Sequence, residues 1–383
     1  MKNVPGFTAA RVEASVGFNS ASPEKGSEKD SEIGLAGWPS PRAALDGVVS
    51  TQATPRFSVV VCAYSFDRWN ELLLAVQSLQ VQSFRPLEVI VVIDHNAELF
   101  VQAGRALQGH ADVRAFEGHA DVRVLENRFG RGLSGARNSG LREAHGELIA
   151  FLDDDAIAAP DWLERLAGAY SDPNTLGVGG AIVPNWCGPQ PDWFPPEFYW
   201  VIGCTYLGLP EQTAPVRNMI GANMSFRRAA FDGLEFRSGL GRIGTVPLGG
   251  EETDFCIRAA RKHPNGVILY EPSAAVRHLV TPERAQMGYF LRRCYAEGIS
   301  KAAISRFVGS QAGLSSERNY VAKVLPRGVL RGLGETLRGH GWGGAARAAS
   351  IIAGLVATAI GYAIGHAIGY ADGLFKNGTL EAA

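Results

Sequence analysis

The sequence predicts an α/β protein, a mostly parallel, Rossmann-like sheet flanked by helices, with a helical C-terminal extension. Two β-branched apolar runs, FSVVVCAY at 57–64 and LEVIVVID at 87–94, begin 30 residues apart. Between them Leu72, Leu73, Val76 and Leu79 recur at helical spacing, which makes a βαβ unit with parallel strands. A third run, ELIAFLDDD at 147–155, repeats the rhythm and ends in three consecutive aspartates. Continuous apolar runs of this kind belong to strands covered on both faces. In such sheets ligands sit beyond the carboxyl ends of the strands, where Tyr64, Asp94 and Asp153 to Asp155 fall.

Composition narrows the field. With 383 residues, 46% of them hydrophobic, the chain can bury a large core, and its 46 glycines without a three-residue period exclude collagen. A net charge of -1 offers no general basic surface, so nucleic acid is not an expected partner. Five scattered cysteines, never in C-x-x-C spacing, speak against a disulfide framework or a cysteine zinc site and fit a reducing compartment.

The two ends differ from the middle. Residues 1–55 are rich in Ser, Pro, Gly, Lys and Glu without apolar periodicity, and are expected to be a disordered extension with no secretory signal near Met1. The hexapeptide GHADVR at 109–114 recurs at 118–123, a duplication expected to lengthen a surface loop or add a turn before a strand near Val122 to Glu126. Near the other end, 348–365 is an uncharged stretch of 18 residues that follows Arg331, Arg338 and Arg347. Its length approaches a bilayer span, but Ala and Gly make it only marginally hydrophobic. Gly361, Gly365, Gly369 and Gly373 would line one helical face. The expectation is peripheral or re-entrant membrane contact through 348–373, the alternative a hairpin packed on the catalytic domain or on a second copy of the chain.

Several segments could carry chemistry. Three adjacent carboxylates repel one another unless a hard cation such as Mg²⁺ or Mn²⁺ neutralises them; equally, Asp153 to Asp155 could form a turn leading into PDWLERL at 160–166. Asp94 could accept hydrogen bonds from a base or ribose, or cap a turn. The segment RFGRGLSGARNSG at 128–140 has small residues that admit a ligand to the backbone, while Arg131 and Arg137 could pair with phosphate. It is neither a Walker A loop nor a dinucleotide fingerprint. GGEETD at 249–254 could supply a general base or merely favourable charge at a helix start. His278 stands alone on a strand-like run.

In this order, these segments resemble family 2 glycosyltransferases of the GT-A fold. The resemblance covers roughly 56–300 and includes VVVCAY, VVID, GLSGARNSG, FLDDD, the glycine pair at 179–180 with Pro184, GANMSF at 221–226 and GEETD. It implies a catalytic domain over 56–310, with a nucleotide-sugar half at 56–160 and an acceptor half at 161–310; the residues beyond, 311–383, are expected from their own composition to be a helical region that could associate with a membrane. Tyr64, Asp94, Arg131, Arg137, Asp153 and Asp154 would bind a UDP- or GDP-linked sugar. Asp153 and Asp155 match the outer positions of the family's D-x-D motif, and with His278 would hold Mn²⁺ or Mg²⁺. Trp193 and Asn223 would contact the acceptor, a glycan or polyprenyl-linked saccharide, with the enzyme at the cytoplasmic face of the cell membrane and able to self-associate. The family's inverting base is usually an aspartate second in a Glu-Asp pair; Glu252 stands there, with Glu251 and Asp254 as alternatives. His95 is a second departure, where the family often has an acid. A nucleotidyltransferase, or a degenerate glycan-binding protein of the same fold, would share many of these features.

Overall fold

The computed structural model describes residues 55–107, 120–238, 240–241, 249–309 and 315–371. The expected extension over 1–55 lies outside these residues except for Pro55, as does most of the duplicated segment. Strand β1 (Phe57–Ala63) leads through helix α1 (Trp69–Gln80) to β2 (Glu88–Ile93), then through α2 (Ala97–Leu107) to β3 (Asp121–Glu126), and through α3 (Leu133–Glu143) to β4 (Leu148–Asp153). Strands β1 to β4 pair in parallel in the order β3-β2-β1-β4. Every residue of β2 is buried, as continuous apolar character requires of a strand with helices on both faces. Helix α1 turns Leu72, Ala75, Val76 and Leu79 into the core, while Leu73 is only half-buried.

The second half folds back on the first. After β5 (Ala156–Ala158) and α4 (Trp162–Ala169) come β6 (Thr175–Trp186), the two-residue β7 (Ala214–Pro215), β8 (Asn223–Arg227), α5 (Glu251–Lys262) and β9 (Val267–Val280). Strand β8 joins β4 and β6 antiparallel, β6 pairs with β9 in parallel, and β9 takes β5 on its other edge. The sheet therefore continues past β4 as β8-β6-β9-β5. Ala156 lies opposite His278, bringing a distant histidine beside the aspartates.

Glycines set the close approaches. A Cβ on Gly140 of α3 would lie 2.4 Å from Val60, and one on Gly135 would lie 2.0 Å from the carbonyl oxygen of Gly130. The glycines at 179–180 have the same origin. A Cβ on Gly180 would meet the Ala274 carbonyl oxygen at 1.8 Å, where the β6–β9 register shifts. These glycines bring elements of the protein together.

The C-terminal region is helical. α6 (Met287–Val308) is followed by α7 (Ser315–Asn319), one π turn (Tyr320–Val324), α8 (Leu325–Leu337) and the long α9 (Gly343–Ala371). Gly361 and Gly365 face α6: a Cβ on Gly361 would sit 2.0 Å from the Tyr295 carbonyl oxygen, and one on Gly365 2.8 Å from Ala302 Cβ. That part of the glycine face is used within the chain, leaving neither residue open to a second copy. Gly373 lies outside the described residues.

Two substitutions separate these roles. Gly361→Ala should lower the unfolding free energy by about 1–3 kcal/mol, because its contact is rigid backbone. Gly334→Ala, on α8 with nothing within 4 Å, should instead add up to about 1 kcal/mol. Thermal or urea denaturation distinguishes the two signs.

Candidate active site

The carboxyl ends of β1, β2 and β4 open into one cleft, closed by α3, α5, the start of α6 and a 3-10 helix at Pro196–Ile202. Its lining includes Tyr64, Asp94, Arg137, the three consecutive aspartates, Glu251, Glu252 and His278. Register explains part of this gathering: Cys62 stands beside Asp153 and Ala63 beside Ile93, so neighbouring parallel strands end together.

Asp94 is fixed on three sides. Its Oδ1 accepts from Asn127 Nδ2 at 2.6 Å and lies 2.8 Å from His95 Nδ1, and its Oδ2 accepts from the Gly132 amide at 2.9 Å. His95, the departure from the family's acid, has φ 51° and packs its ring on Asp94. Arg131 is exposed and donates to the His95 carbonyl at 3.1 Å, so it braces this turn and is absent from the cleft lining. Tyr64 is 37% exposed at the rim.

Asp153, Asp155 and His278 offer ligand atoms within 4.8 Å of one another. The donor set suits a hard divalent cation. A further observation supports the fit: Asp155 Oδ1 is buried and lies 3.1 Å from His278 Nε2, yet no hydrogen-bond donor is aligned on it. Burial alone would raise the Asp155 carboxyl, but His278, Arg68 and Arg284 together hold it well below the usual carboxylate range. Arg68 reaches Asp155 Oδ2 at 3.1 Å and Arg284 reaches it at 3.2 Å. Asp154 pairs with the same Arg68 at 2.7 Å, and burial pushes its carboxyl upward. It lines the cleft as the partner of a guanidinium.

Arg137 is buried and also pairs with carboxylates. Its Nη1 lies 2.7 Å from Glu251 Oε1, its Nη2 3.5 Å from Asp153 Oδ1, and Nη2 donates to the Gly221 carbonyl at 3.2 Å. A Cβ on Gly221 would stand 2.6 Å from that nitrogen, which accounts for the glycine opening GANMSF. Arg137 thus bridges the end of β4 to the start of α5.

The three candidate bases separate clearly. Asp254 is fully buried and held by Arg258 at 2.8 Å and Arg237 at 3.4 Å, a structural role that removes it as a base. Glu251 is committed to Arg137. Glu252 lines the cleft with no ion pair among the described residues, and burial, reinforced by the neighbouring Glu251 charge, raises its carboxyl well above the ordinary value.

The structure places the two expected acceptor contacts, Asn223 and Trp193, outside the cleft lining. Asn223 is fully buried: its Oδ1 accepts from Trp162 Nε1 at 2.9 Å, and its Nδ2 donates to the Ala181 and Ala274 carbonyls, each at 2.9 Å. Nothing polar is left for an acceptor. Trp193 stacks on Phe194 with ring centroids 5.1 Å apart and meets Phe290 edge-on, outside the cleft lining; Trp200, at the end of the same aromatic stretch, lines it instead. Sequence reasoning missed Arg68, Arg284, Tyr289 and Arg293, which also line the cleft. Isolated arginines carry no motif, and only the convergence of the loops exposes them.

A sheet whose strand ends gather carboxylates, a histidine and buried arginines in one cleft has a ligand site where open α/β sheets place one. Residues 58–234 match the model of Glycosyl transferase family 2. A Haloferax volcanii protein named glucosyl-dolichyl phosphate glucuronosyltransferase is 36% identical over 250 residues, covering 64% of this chain and 76% of that protein. The succinoglycan biosynthesis protein ExoM of Rhizobium meliloti is 27% identical over 249 residues, covering 64% and 74%. The mannosyltransferase PcManGT from Pyrobaculum calidifontis, solved in complex with GDP-Man and Mn²⁺, aligns over 81% of this chain and 88% of that one, with 17% identity and a TM-score of 0.49. The chain belongs to glycosyltransferase family 2, with the family's GT-A fold, and is a glycosyltransferase.

The Arg137 clamp gives a direct test. Arg137→Met leaves Glu251 buried without its counter-charge and should cost about 3–5 kcal/mol of stability. Adding Glu251→Gln should return much of that loss. A double-mutant cycle by urea denaturation measures the coupling.

Proposed function

We propose that the enzyme transfers a sugar, with inversion, from a UDP- or GDP-linked donor to a hydroxyl of a polyprenyl-linked saccharide or other glycan at the cytoplasmic face of the cell membrane. The observation that carries the reading is the meeting of Asp153, Asp155 and His278 with Glu252 in one cleft at the carboxyl ends of the strands. The name of the Haloferax relative, which specifies a glucosyl-dolichyl phosphate, supports the lipid-linked class.

Asp153, Asp155 and His278 would hold Mn²⁺ or Mg²⁺, which when bound supplies Lewis-acid neutralisation of the diphosphate. Asp94, locked by Asn127 and the Gly132 amide, accepts hydrogen bonds from the nucleoside, with Tyr64 beside it at the rim. Arg137 keeps Asp153 and the Glu251–Glu252 turn in register. Glu252 takes the proton of the acceptor hydroxyl as its oxygen bonds to the anomeric carbon. The bond from that carbon to the diphosphate oxygen breaks, and the nucleoside diphosphate leaves with the bonding electrons. A carboxyl with raised pKa is a stronger base once ionised, so burial of Glu252 serves this step.

Glu252→Gln should reduce transfer by about 10²- to 10⁴-fold while donor binding persists. The wild-type kcat/KM should fall as pH drops through the raised Glu252 pKa, above the ordinary glutamate value of about 4.3. The same ionisation penalises folding as pH rises through that range, so Glu252→Gln should gain stability at neutral pH while losing activity. A glutamine variant with near-normal transfer would remove Glu252 as the base.

The metal is tested separately. Thermal stability should rise with a nucleoside diphosphate when Mn²⁺ is present, by roughly 2.7 kcal/mol at a hundredfold excess over Kd, and Asp155→Ala should abolish that rise. An equal rise without a divalent cation would count against the metal site.

A further inference from the structure

We propose that the outer face of α8 and the turn leading into α9 form an interfacial docking surface for an anionic lipid leaflet, with α9 lying against the protein and not crossing the bilayer. This rests on the preceding reading only for the lipid-linked acceptor; the surface follows from the helices themselves. Leu330, Leu333 and Leu337 recur at spacings of three and four on α8 and are 70%, 45% and 89% exposed, and Trp342, in the turn before α9, is 83% exposed. Such large apolar groups are costly in water, and leucine with tryptophan suits the boundary between headgroups and acyl chains.

Charge identifies the occupant. Between residues 320 and 371 the sequence has five Lys or Arg and one acid, Glu335, which is bonded to Arg347. Lys323, Arg327 and Arg338 are exposed around the leucines. Exposed apolar side chains with cations on the same stretch of chain match anionic headgroups over acyl chains. A second copy of the chain would bring like charges together.

The packed face of α9 counts against a span, although Gly343–Ile368 is long and apolar enough by composition and its outer face carries exposed Ile352, Val356, Ile360 and Ile368. The inner face of α9 is committed to α6: a Cβ on Gly298 would lie 2.1 Å from the Thr358 carbonyl oxygen, and Arg306 donates to the carbonyls of Gly365 and His366 at 2.7 and 2.6 Å. Helix α6 also carries the Arg293–Glu297–Lys301 ion pairs, which a bilayer interior would strip of water. The same layer reaches the cleft. Tyr320 donates to the Glu197 carbonyl at 2.6 Å and lies 3.2 Å from Trp200 Nε1, while Arg331 pairs with Glu197 Oε1 at 2.6 Å. A leaflet on α8 would therefore lie against the elements that seat Trp200 in the cleft wall.

Co-sedimentation of the full chain with phosphatidylcholine vesicles, with and without phosphatidylglycerol, tests the surface, and donor hydrolysis is followed in the same samples. We expect binding that needs phosphatidylglycerol, weakens with salt and is released by alkaline carbonate. Leu337→Glu combined with Trp342→Ala should lower partition roughly tenfold or more. Arg327→Gln and Arg338→Gln should each lower it about fivefold. Donor hydrolysis should be unchanged in all of these variants. The surface is excluded by equal binding to both vesicles, by variants that bind as wild type, by retention through carbonate, or by a dimer that the Leu337 and Trp342 changes dissolve. A protein that hydrolyses donor yet ignores every vesicle would lose the surface and keep the transferase; one that binds vesicles but never hydrolyses donor would do the reverse.

Discussion

The catalytic cleft depends on one buried guanidinium. Arg137 projects from α3, pairs with Glu251 at the first turn of α5 and lies 3.5 Å from Asp153 at the end of β4. It thereby joins the end of β4 to the first turn of α5, next to Glu252. A buried ion pair of this kind contributes little net stability over an apolar replacement, because removing both charges from water costs nearly what their attraction returns. Its value lies in geometry: a rigid planar fork sets the distance between Asp153 and the turn that presents Glu252.

A second convergence, on Asp155, follows the same physics with opposite signs. Arg68 comes from the turn after β1, Arg284 from the loop after β9, and His278 from β9 itself. Three separate segments are held by one carboxylate, so the site that would take a cation also closes the sheet. Asp154, one residue earlier, engages Arg68 alone, through the same Nη1 that reaches Asp155. Three consecutive acids thus divide into two that share a site with His278 and one that anchors an arginine.

The C-terminal layer joins these centres to the surface. Tyr320, Glu197 and Arg331 connect α8 to the 3-10 helix that ends beside the cleft. In family 2 glycosyltransferases function resides in such local features, because a common fold serves many substrates. Trp200, Tyr289 and Arg293 line the cleft on the side of this layer.

The sequence by itself determined the parallel βαβ core, the strand ends that present Asp94 and Asp153, and the acidic turn at Glu251–Glu252, because periodicity and strand-end carboxylates are local properties of the chain. It also marked the glycines at 135, 140, 179, 180 and 221, but not what each approaches. Only the tertiary structure showed that those glycines admit the protein's own backbone and side chains, since their neighbours come from other elements. Asn223 stood in a recognisable segment, and its burial under Trp162 turned an expected acceptor contact into a bridge between strands. Arg68 and Arg284 had no sequence signal: their partner on Asp155 is far along the chain, and such pairing exists only after β9 has crossed the sheet to meet β5. Which of Glu251, Glu252 and Asp254 lines the cleft with no ion pair among the described residues was likewise decided by packing, because chemically similar side chains on one helical turn differ only in what surrounds them.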